Sequence, residues 1–385
     1  MHYIPHHPVM KDSSTTPLRV VYDCSFRPNK NYPSLNDCLT VVPPQLNDLV
    51  DLLVRFRRHK FAIATDIEKA FLHVGLHEDD RDATRFLWLS DPTDPDSPLK
   101  IYRFRSVLFG AACSPFILSA TLLKHLQLNQ SELADTLARD LYVDNILSSM
   151  ETEKDAINYF TEARSMMLKA KFNLRSWSSN SREVRELADA QHVLDTDAQT
   201  KVLGMRWNSE TDELFYPKRD IAFTTETTTK RDILRHSSRI YDPLGLITPV
   251  TVRAKLLLQE LWKGQYKWDE PLPKEISEKW IDIAKDIENA TMLSFPRTYF
   301  KQDSNRNETT IHVFVDASTK AYGAVAYICN GDESAIVLAK TRVVPIKELT
   351  LPKLELMAAV IGARLTKHLL ASLTVQVPLH GQTAK

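Results

Sequence analysis

Two aspartates stand where short apolar runs end, and their settings constrain this chain more than any other feature. Asp66 closes the run Phe61 to Thr65 and opens the segment Asp66-Ile67-Glu68-Lys69-Ala70-Phe71. The run has the length and apolar content of a buried strand. Asp144 lies in Leu141-Tyr142-Val143-Asp144-Asn145, and the pattern over 141–149 predicts two short strands joined around Asp144-Asn145. A strand end and a hairpin tip can bring two carboxylates together under one metal site. Hard oxygen ligands suit Mg²⁺, which binds through one or two carboxylates plus substrate phosphates. Two such ions can activate a hydroxyl and stabilise the leaving group of an in-line displacement.

The rest of the chain predicts a mixed α/β (α+β) fold. Strands are expected at Leu18–Asp23 and Val202–Trp207. Helices are expected over 44–58, from Ser114-Pro115 onward with Ser114 as the cap, and over 152–170. The stretches 91–98 and 177–183 read as loops, and 302–309 has linker composition. Residues 229–268 read as mostly helical, broken by Asp242-Pro243-Leu244-Gly245. A new pattern follows, with strands near 311–316, 322–329 and 335–341 and a helix over about 351–371.

Composition excludes several other classes. The 49 Lys+Arg balance 49 Asp+Glu, so the chain is no cationic nucleic-acid coat. A duplex cleft would need only local basic faces; the candidates are Arg55, Arg57, Arg58, His59 and Lys60, then Lys230, Arg231, Arg235 and Arg239. The four cysteines, Cys24, Cys38, Cys113 and Cys329, make no zinc pair and too few bridges for a disulfide framework. That usage predicts a reducing, intracellular setting. No signal peptide and no apolar run of membrane-spanning length are read, so no membrane partner is expected. Nine glycines form neither phosphate-cradling motif.

The order of segments is more specific than any one of them. From Leu18–Asp23 the chain runs through Asp66–Phe71, Leu108-Phe109-Gly110-Ala111-Ala112-Cys113-Ser114-Pro115-Phe116 and Tyr142-Val143-Asp144-Asn145 to Leu203-Gly204-Met205-Arg206-Trp207. This series resembles the fingers and palm motifs of reverse transcriptases. Further segments sharpen the resemblance to the BEL/Pao type of LTR retrotransposon: His6-His7-Pro8-Val9, Leu35-Asn36-Asp37-Cys38, Ser238 to Leu246 and Lys263 to Leu272.

The resemblance implies a right-hand polymerase. Fingers and palm would occupy 1–215, thumb and connection 216–305, and a partial RNase H-like domain 306–385. Asp66 and Asp144 would be the catalytic carboxylates, holding two Mg²⁺ (or Mn²⁺) ions. Arg19 would grip the triphosphate, and Phe71 would lie beneath the nucleotide sugar, where its ring excludes a 2′-hydroxyl. Gly110, Ser114 and Pro115 would support nucleotide and template, Tyr142 would lie near the primer end, and Leu203, Gly204, Met205, Arg206 and Trp207 would hold the primer strand. Family members carry a second Asp at the hairpin tip, where this chain has Asn145. Asn145 is expected to weaken metal binding without abolishing it.

The last segment resembles the opening of an RNase H domain. Asp316 ends the strand Ile311–Asp316, and Glu355 lies early in the helix from Leu351. They would be the first two of four acidic metal ligands, and Val375–Lys385 offers no Asp or Glu to complete the set. No RNase H activity is therefore expected. The implied partners are an RNA or DNA template with its primer, and dNTPs. The expected location is cytoplasmic, in virus-like particles. No protease or zinc-knuckle signature is read, so the chain is expected to be one fragment of a larger polyprotein. The alternative function is a catalytically weakened, nucleic-acid-binding remnant.

Overall fold

In the computed structural model, residues 2–10, 17–217, 228–300, 309–347 and 349–373 are described. The linker expected at 302–309 lies, but for Thr309, outside them, as does the tail 375–385. In chain order the elements are β1 (His6–Met10), β2 (Leu18–Tyr22), α1 (Leu35–Cys38), α2 (Leu49–Phe56), β3 (Phe61–Ile67), β4 (Arg85–Leu89), β5 (Leu99–Arg103), α3 (Ser114–Asn129), α4 (Glu132–Asp140), β6 (Leu141–Tyr142), β7 (Asn145–Met150), α5 (Glu153–Lys169), β8 (Leu174–Ser179) and α6 (Arg182–Ala190). There follow β9 (Gln199–Val202), β10 (Met205–Asn208), β11 (Glu213–Phe215), α7 (Lys230–Ser238), α8 (Thr248–Lys263), α9 (Lys274–Thr291), β12 (Ser294–Pro296), β13 (Thr310–Ala317), β14 (Ala321–Asn330), β15 (Glu333–Val343) and α10 (Leu351–Leu373). The fold is mixed α/β, as the sequence predicts.

The chain forms two units. The first comprises Met1–Asn47, Thr65–Ile146 and Asn158–Ser176; the second comprises Asp48–Ala64, Leu147–Ile157 and Trp177–Lys385. A four-stranded sheet has the order β6-β7-β3-β8.

In the first unit, β1 pairs antiparallel with β2, and β4 with β5. Ile4, Cys24, Leu35, Leu108 and Ala111 form a small core. The one-turn helix α1 is held by a capping box between Ser34 and Asp37. Hydrogen bonds from Ser34, then from Arg27, pull the Asp37 carboxyl down to about 2. Helix α3 starts where expected, with Pro115 in its first turn, but Ser114 is not its cap. Cys113 holds that position, and the Ser114 hydroxyl instead donates to the Leu108 carbonyl at 2.7 Å.

In the second unit, β12-β11-β10-β9 form one sheet and β13-β14-β15 another. Helix α10 lies on β13 and β14 through Leu354, Ala358, Gly362, Leu365 and Leu369. Each such leucine contributes about 1.5–3 kcal/mol of burial. Gly362 permits the close approach: a Cβ there would sit 2.4 Å from Val315 Cγ1. Contrary to the sequence reading, α10 is long and apolar enough to cross a membrane. Here it serves as the helix that covers this sheet.

Three further expectations fail for local reasons. The helix read over 44–58 spans only Leu49–Phe56, because the Asp48 carboxylate accepts from the Val50 and Asp51 N–H groups and so caps it. The loop read over 177–183 is instead the end of β8 and the start of α6. Its Ser/Asn content serves pairing and capping: Ser179 donates to the Ala62 carbonyl, Asn180 accepts from the Ala62 N–H, and Ser181 caps α6. The basic runs do not present all their candidate residues as a surface for a duplex. Arg57 is buried over the Tyr299 ring at 4.4 Å and donates to the carbonyls of Arg297 and Ile336. Lys230 is buried with its ammonium 3.5 Å from the Trp262 ring centre, while Arg231 pairs with Asp269.

Candidate active site

The hairpin that carries Asp144 is tight. Tyr142 pairs with Asn145, leaving Val143 and Asp144 as the two turn residues. Of these only Val143 has a positive φ, 57°, the pattern of a type II′ turn. A β-branched residue there costs on the order of 1–3 kcal/mol, which surrounding structure must hold in place. One bond that does so is also the bond that builds the site: the Ile67 N–H donates to the Asp144 carbonyl at 2.7 Å. The end of β3, with Asp66 beside Ile67, therefore lies against the hairpin tip.

Asp66 and Asp144 are both half-buried. Burial pushes the Asp144 carboxyl up, against the opposing pull of the Arg19 charge. The Asn145 amide nitrogen donates to Asp144 Oδ1 at 2.9 Å. An ionised carboxylate only accepts, so the amide oxygen of Asn145, its sole ligand atom, points elsewhere. Glu68, two residues past Asp66, is engaged structurally by Asn173 and by Arg175 at 3.0 and 2.9 Å.

The other nucleotide-site candidates gather in the same unit. Arg19 is exposed on β2, with its guanidinium carbon 5.7 Å from the Phe109 ring centre. Phe71 is nearly buried, in a 3₁₀ turn over Ala70–His73, and its ring centre lies 4.6 Å from that of Phe109. Phe109 thus neighbours both Arg19 and Phe71. The sequence reading gave it no role, although its place beside Gly110 in the quoted motif was the available signal. Gly110 has φ +95°, and a Cβ there would lie 3.0 Å from the Tyr22 carbonyl. Ser114 is buried, and Pro115 and Tyr142 are half-buried.

The five candidate primer residues divide by face. Leu203 and Gly204, with φ 45° and 100°, form the turn between β9 and β10. Met205 and Trp207 are fully buried in the core, so their side chains anchor the hairpin and do not reach a bound strand. Arg206 alternates to the outer face, pairs with Asp197 at 3.2 Å and lines a cleft with Asn208, Glu213 and Phe215. Asp316 and Glu355 are both exposed. Alternation along β13 places Asp316 on the face opposite Val313 and Val315, which pack towards α10, while Glu355 lies in the second turn of α10.

Among the described residues one further group has metal-ligand spacing: Asp48, Asp51 and His368, whose ligand atoms lie within 4.8 Å of one another. Asp48 is already the cap of α2, and Asp51 accepts from Ser372 and lies 3.0 Å from His368 Nε2. These contacts tie α10 to α2.

The fold is similar to that of solved viral reverse transcriptases. A foamy viral protease-reverse transcriptase in complex with an RNA/DNA hybrid superposes with TM-score 0.60 and 15% identity over 96% of this chain and 43% of that chain. Two further foamy viral protease-reverse transcriptase structures with double-stranded DNA, the first a dRH form, give TM-scores of 0.61 and 0.58 at 16% and 15% identity, covering 97% and 96% of this chain. The chain spans 56% and 67% of those two. Residues 229–380 match the family model of the Pao retrotransposon-like RNaseH-like domain, which begins at the cap of α7. No curated protein matches the sequence.

Proposed function

We propose that the chain is an RNA-directed DNA polymerase of a BEL/Pao-type retrotransposon, adding dNTPs to a primer 3′ end. The carrying observation is the backbone bond from Ile67 to Asp144, which sets the Asp66 end of β3 against the Asp144 hairpin. The donor set fits Mg²⁺ or Mn²⁺: Asp66 and Asp144 offer two half-buried carboxylates with hard oxygens. Ions held there would supply the Lewis acidity that activates the 3′-hydroxyl and stabilises the leaving pyrophosphate.

The chain's own residues do the rest. Arg19, exposed and planar, grips triphosphate oxygens bidentately. Its charge also favours the ionised, metal-competent form of Asp144. Phe71, braced by Phe109, fills the space below the sugar and so selects deoxynucleotides. Arg206 and the Leu203-Gly204 turn face the primer. The foamy viral neighbours, solved with an RNA/DNA hybrid and with double-stranded DNA, support primer–template as the partner. Asp316 and Glu355 are assigned to the RNase H-like domain as metal-site residues.

Extension of a primed RNA or DNA template with dNTPs and Mg²⁺ or Mn²⁺ tests this reading, with Asp144→Ala as the control. Extension by the native chain, lost in the variant, is expected. Primer–template binding with no extension by either protein overturns it and establishes the non-catalytic remnant, the reading that Asn145 favours.

A further inference from the structure

We infer that Asn36 is a positioning residue for the nucleotide site, acting through the turn that carries Phe109 and Gly110. This rests on the polymerase reading above. Asn36 lies in α1, away from both carboxylates in sequence, and its amide joins two segments. Its Nδ2 donates to the Gly110 carbonyl at 3.1 Å and to Ser25 Oγ at 2.9 Å. Its Oδ1 accepts from the Ala112 N–H at 2.8 Å. A backbone N–H only donates, so the amide orientation follows from the structure. The Asn36 N–H itself donates to the Cys24 carbonyl at 3.0 Å.

These bonds have a shared geometric result. Residues 24 and 25 lie two and three positions past the end of β2, the strand that bears Arg19, and Gly110 and Ala112 lie one and three positions past Phe109. Asn36 therefore fixes the register between the strand of Arg19 and the turn of Phe109. Gly110 needs the fixing: at φ +95°, with the Tyr22 carbonyl close by, it has no side chain of its own to hold the turn. The Asn36 amide supplies both a donor for the Gly110 carbonyl and an acceptor for the Ala112 N–H. Loss of the tether lets Phe109 drift from Arg19 and Phe71, and the nucleotide loses its floor.

The test uses the full chain and two readouts. The first is alkylation of Cys113 by iodoacetamide, mapped by mass spectrometry with exposed Cys38 as the internal reference. Cys113 is half-buried and follows Ala112, so it reports the turn whether or not the protein polymerises. The second is steady-state extension, separating KM for dNTP from kcat. Asn36→Ala is expected to speed Cys113 alkylation and to raise KM for dNTP roughly fivefold to tenfold, as loss of net hydrogen bonds of ordinary strength implies. Affinity for primer–template and kcat should change less than twofold.

Ser25→Ala removes one bond of Asn36 and leaves both tethers to the turn, so it should behave as the native chain. Asn36→Asp keeps the acceptor for Ala112 and should fall between native and Asn36→Ala; it carries the comparison should Asn36→Ala fail to fold. Unchanged Cys113 reactivity overturns the tether. Faster alkylation with an unchanged KM overturns its role in nucleotide binding. Absence of extension by the native chain overturns the polymerase reading and, with it, this inference.

Discussion

Replacing Asn145 by Asp restores the second carboxylate at the hairpin tip, and the structure sets the size of the effect. In the native chain the Asn145 amide donates to Asp144 Oδ1 at 2.9 Å. A hydrogen bond to a charged group is worth about 1.5–3 kcal/mol. Asn145→Asp removes it and sets two carboxylates side by side. At about 4 Å and an effective dielectric near 20, their repulsion is about 4 kcal/mol, reduced by relaxation into solvent because both residues are only half-buried. Without metal the variant should therefore be less stable, melting about 3 °C or more below the native chain in EDTA. A divalent cation reverses the sign, since the same two charges then attract it. A net gain of about 1.4–2.8 kcal/mol lowers the Mg²⁺ concentration for half-maximal extension about 10- to 100-fold. The assay is primer extension over a Mg²⁺ titration, paired with thermal melts in EDTA and in Mg²⁺. Equal Mg²⁺ dependence together with equal melting in EDTA would refute the reasoning, by showing that position 145 exchanges no charge with the Asp144 site.

Two other predictions concern buried charge. Arg297 is fully buried, forms a two-bond pair with Asp212 at 2.6 and 2.9 Å and donates to the carbonyls of Phe56, His59 and Lys60. Asp212→Ala strands that guanidinium and should cost about 3 kcal/mol in urea unfolding, the low end for a broken buried pair because Asp212 is partly exposed; a loss under about 1 kcal/mol would show that water reaches Arg297. For Asp144, burial raises the folded carboxyl above its unfolded value, so the protonated form favours folding and stability declines as pH rises through the raised value. In EDTA, Asp144→Asn should therefore gain on the native chain as pH climbs out of the acidic range, and a gap independent of pH would contradict the cause given.

How much of this was legible in the sequence depends on the range of the interactions. The Asp144 turn could be read because two apolar strands around a short polar tip admit only a hairpin. Asp66 could be read because an apolar run must end in something polar. The helices around Asp242–Gly245 followed from breaker residues within a few positions. Ser114 was misread because its hydroxyl had two backbone options, the helix N–H groups and the Leu108 carbonyl, and local rules cannot rank them. The strand at Trp177–Ser179 was hidden because its Ser and Asn side chains serve residues near Ala62, remote in sequence. Arg57 and Lys230 read as candidates for a duplex-facing surface for the same reason: the carbonyls and rings that receive them come from other parts of the chain. Asn36 entered only within the Leu35–Cys38 segment and was given no role there, since its partners Gly110 and Ala112 are remote in sequence.

The burial of Arg57 has a consequence for hybrids built from this chain. Its guanidinium, nine residues before Asp66 in sequence, is satisfied by the Ile336 carbonyl on β15, inside the segment that matches the Pao RNaseH-like model. A hybrid that grafts a foreign RNaseH-like segment onto this chain inherits a cation with a missing acceptor unless the incoming strand presents a carbonyl at that place. A hybrid that takes both segments from one parent keeps the Arg57 donor and its acceptor together.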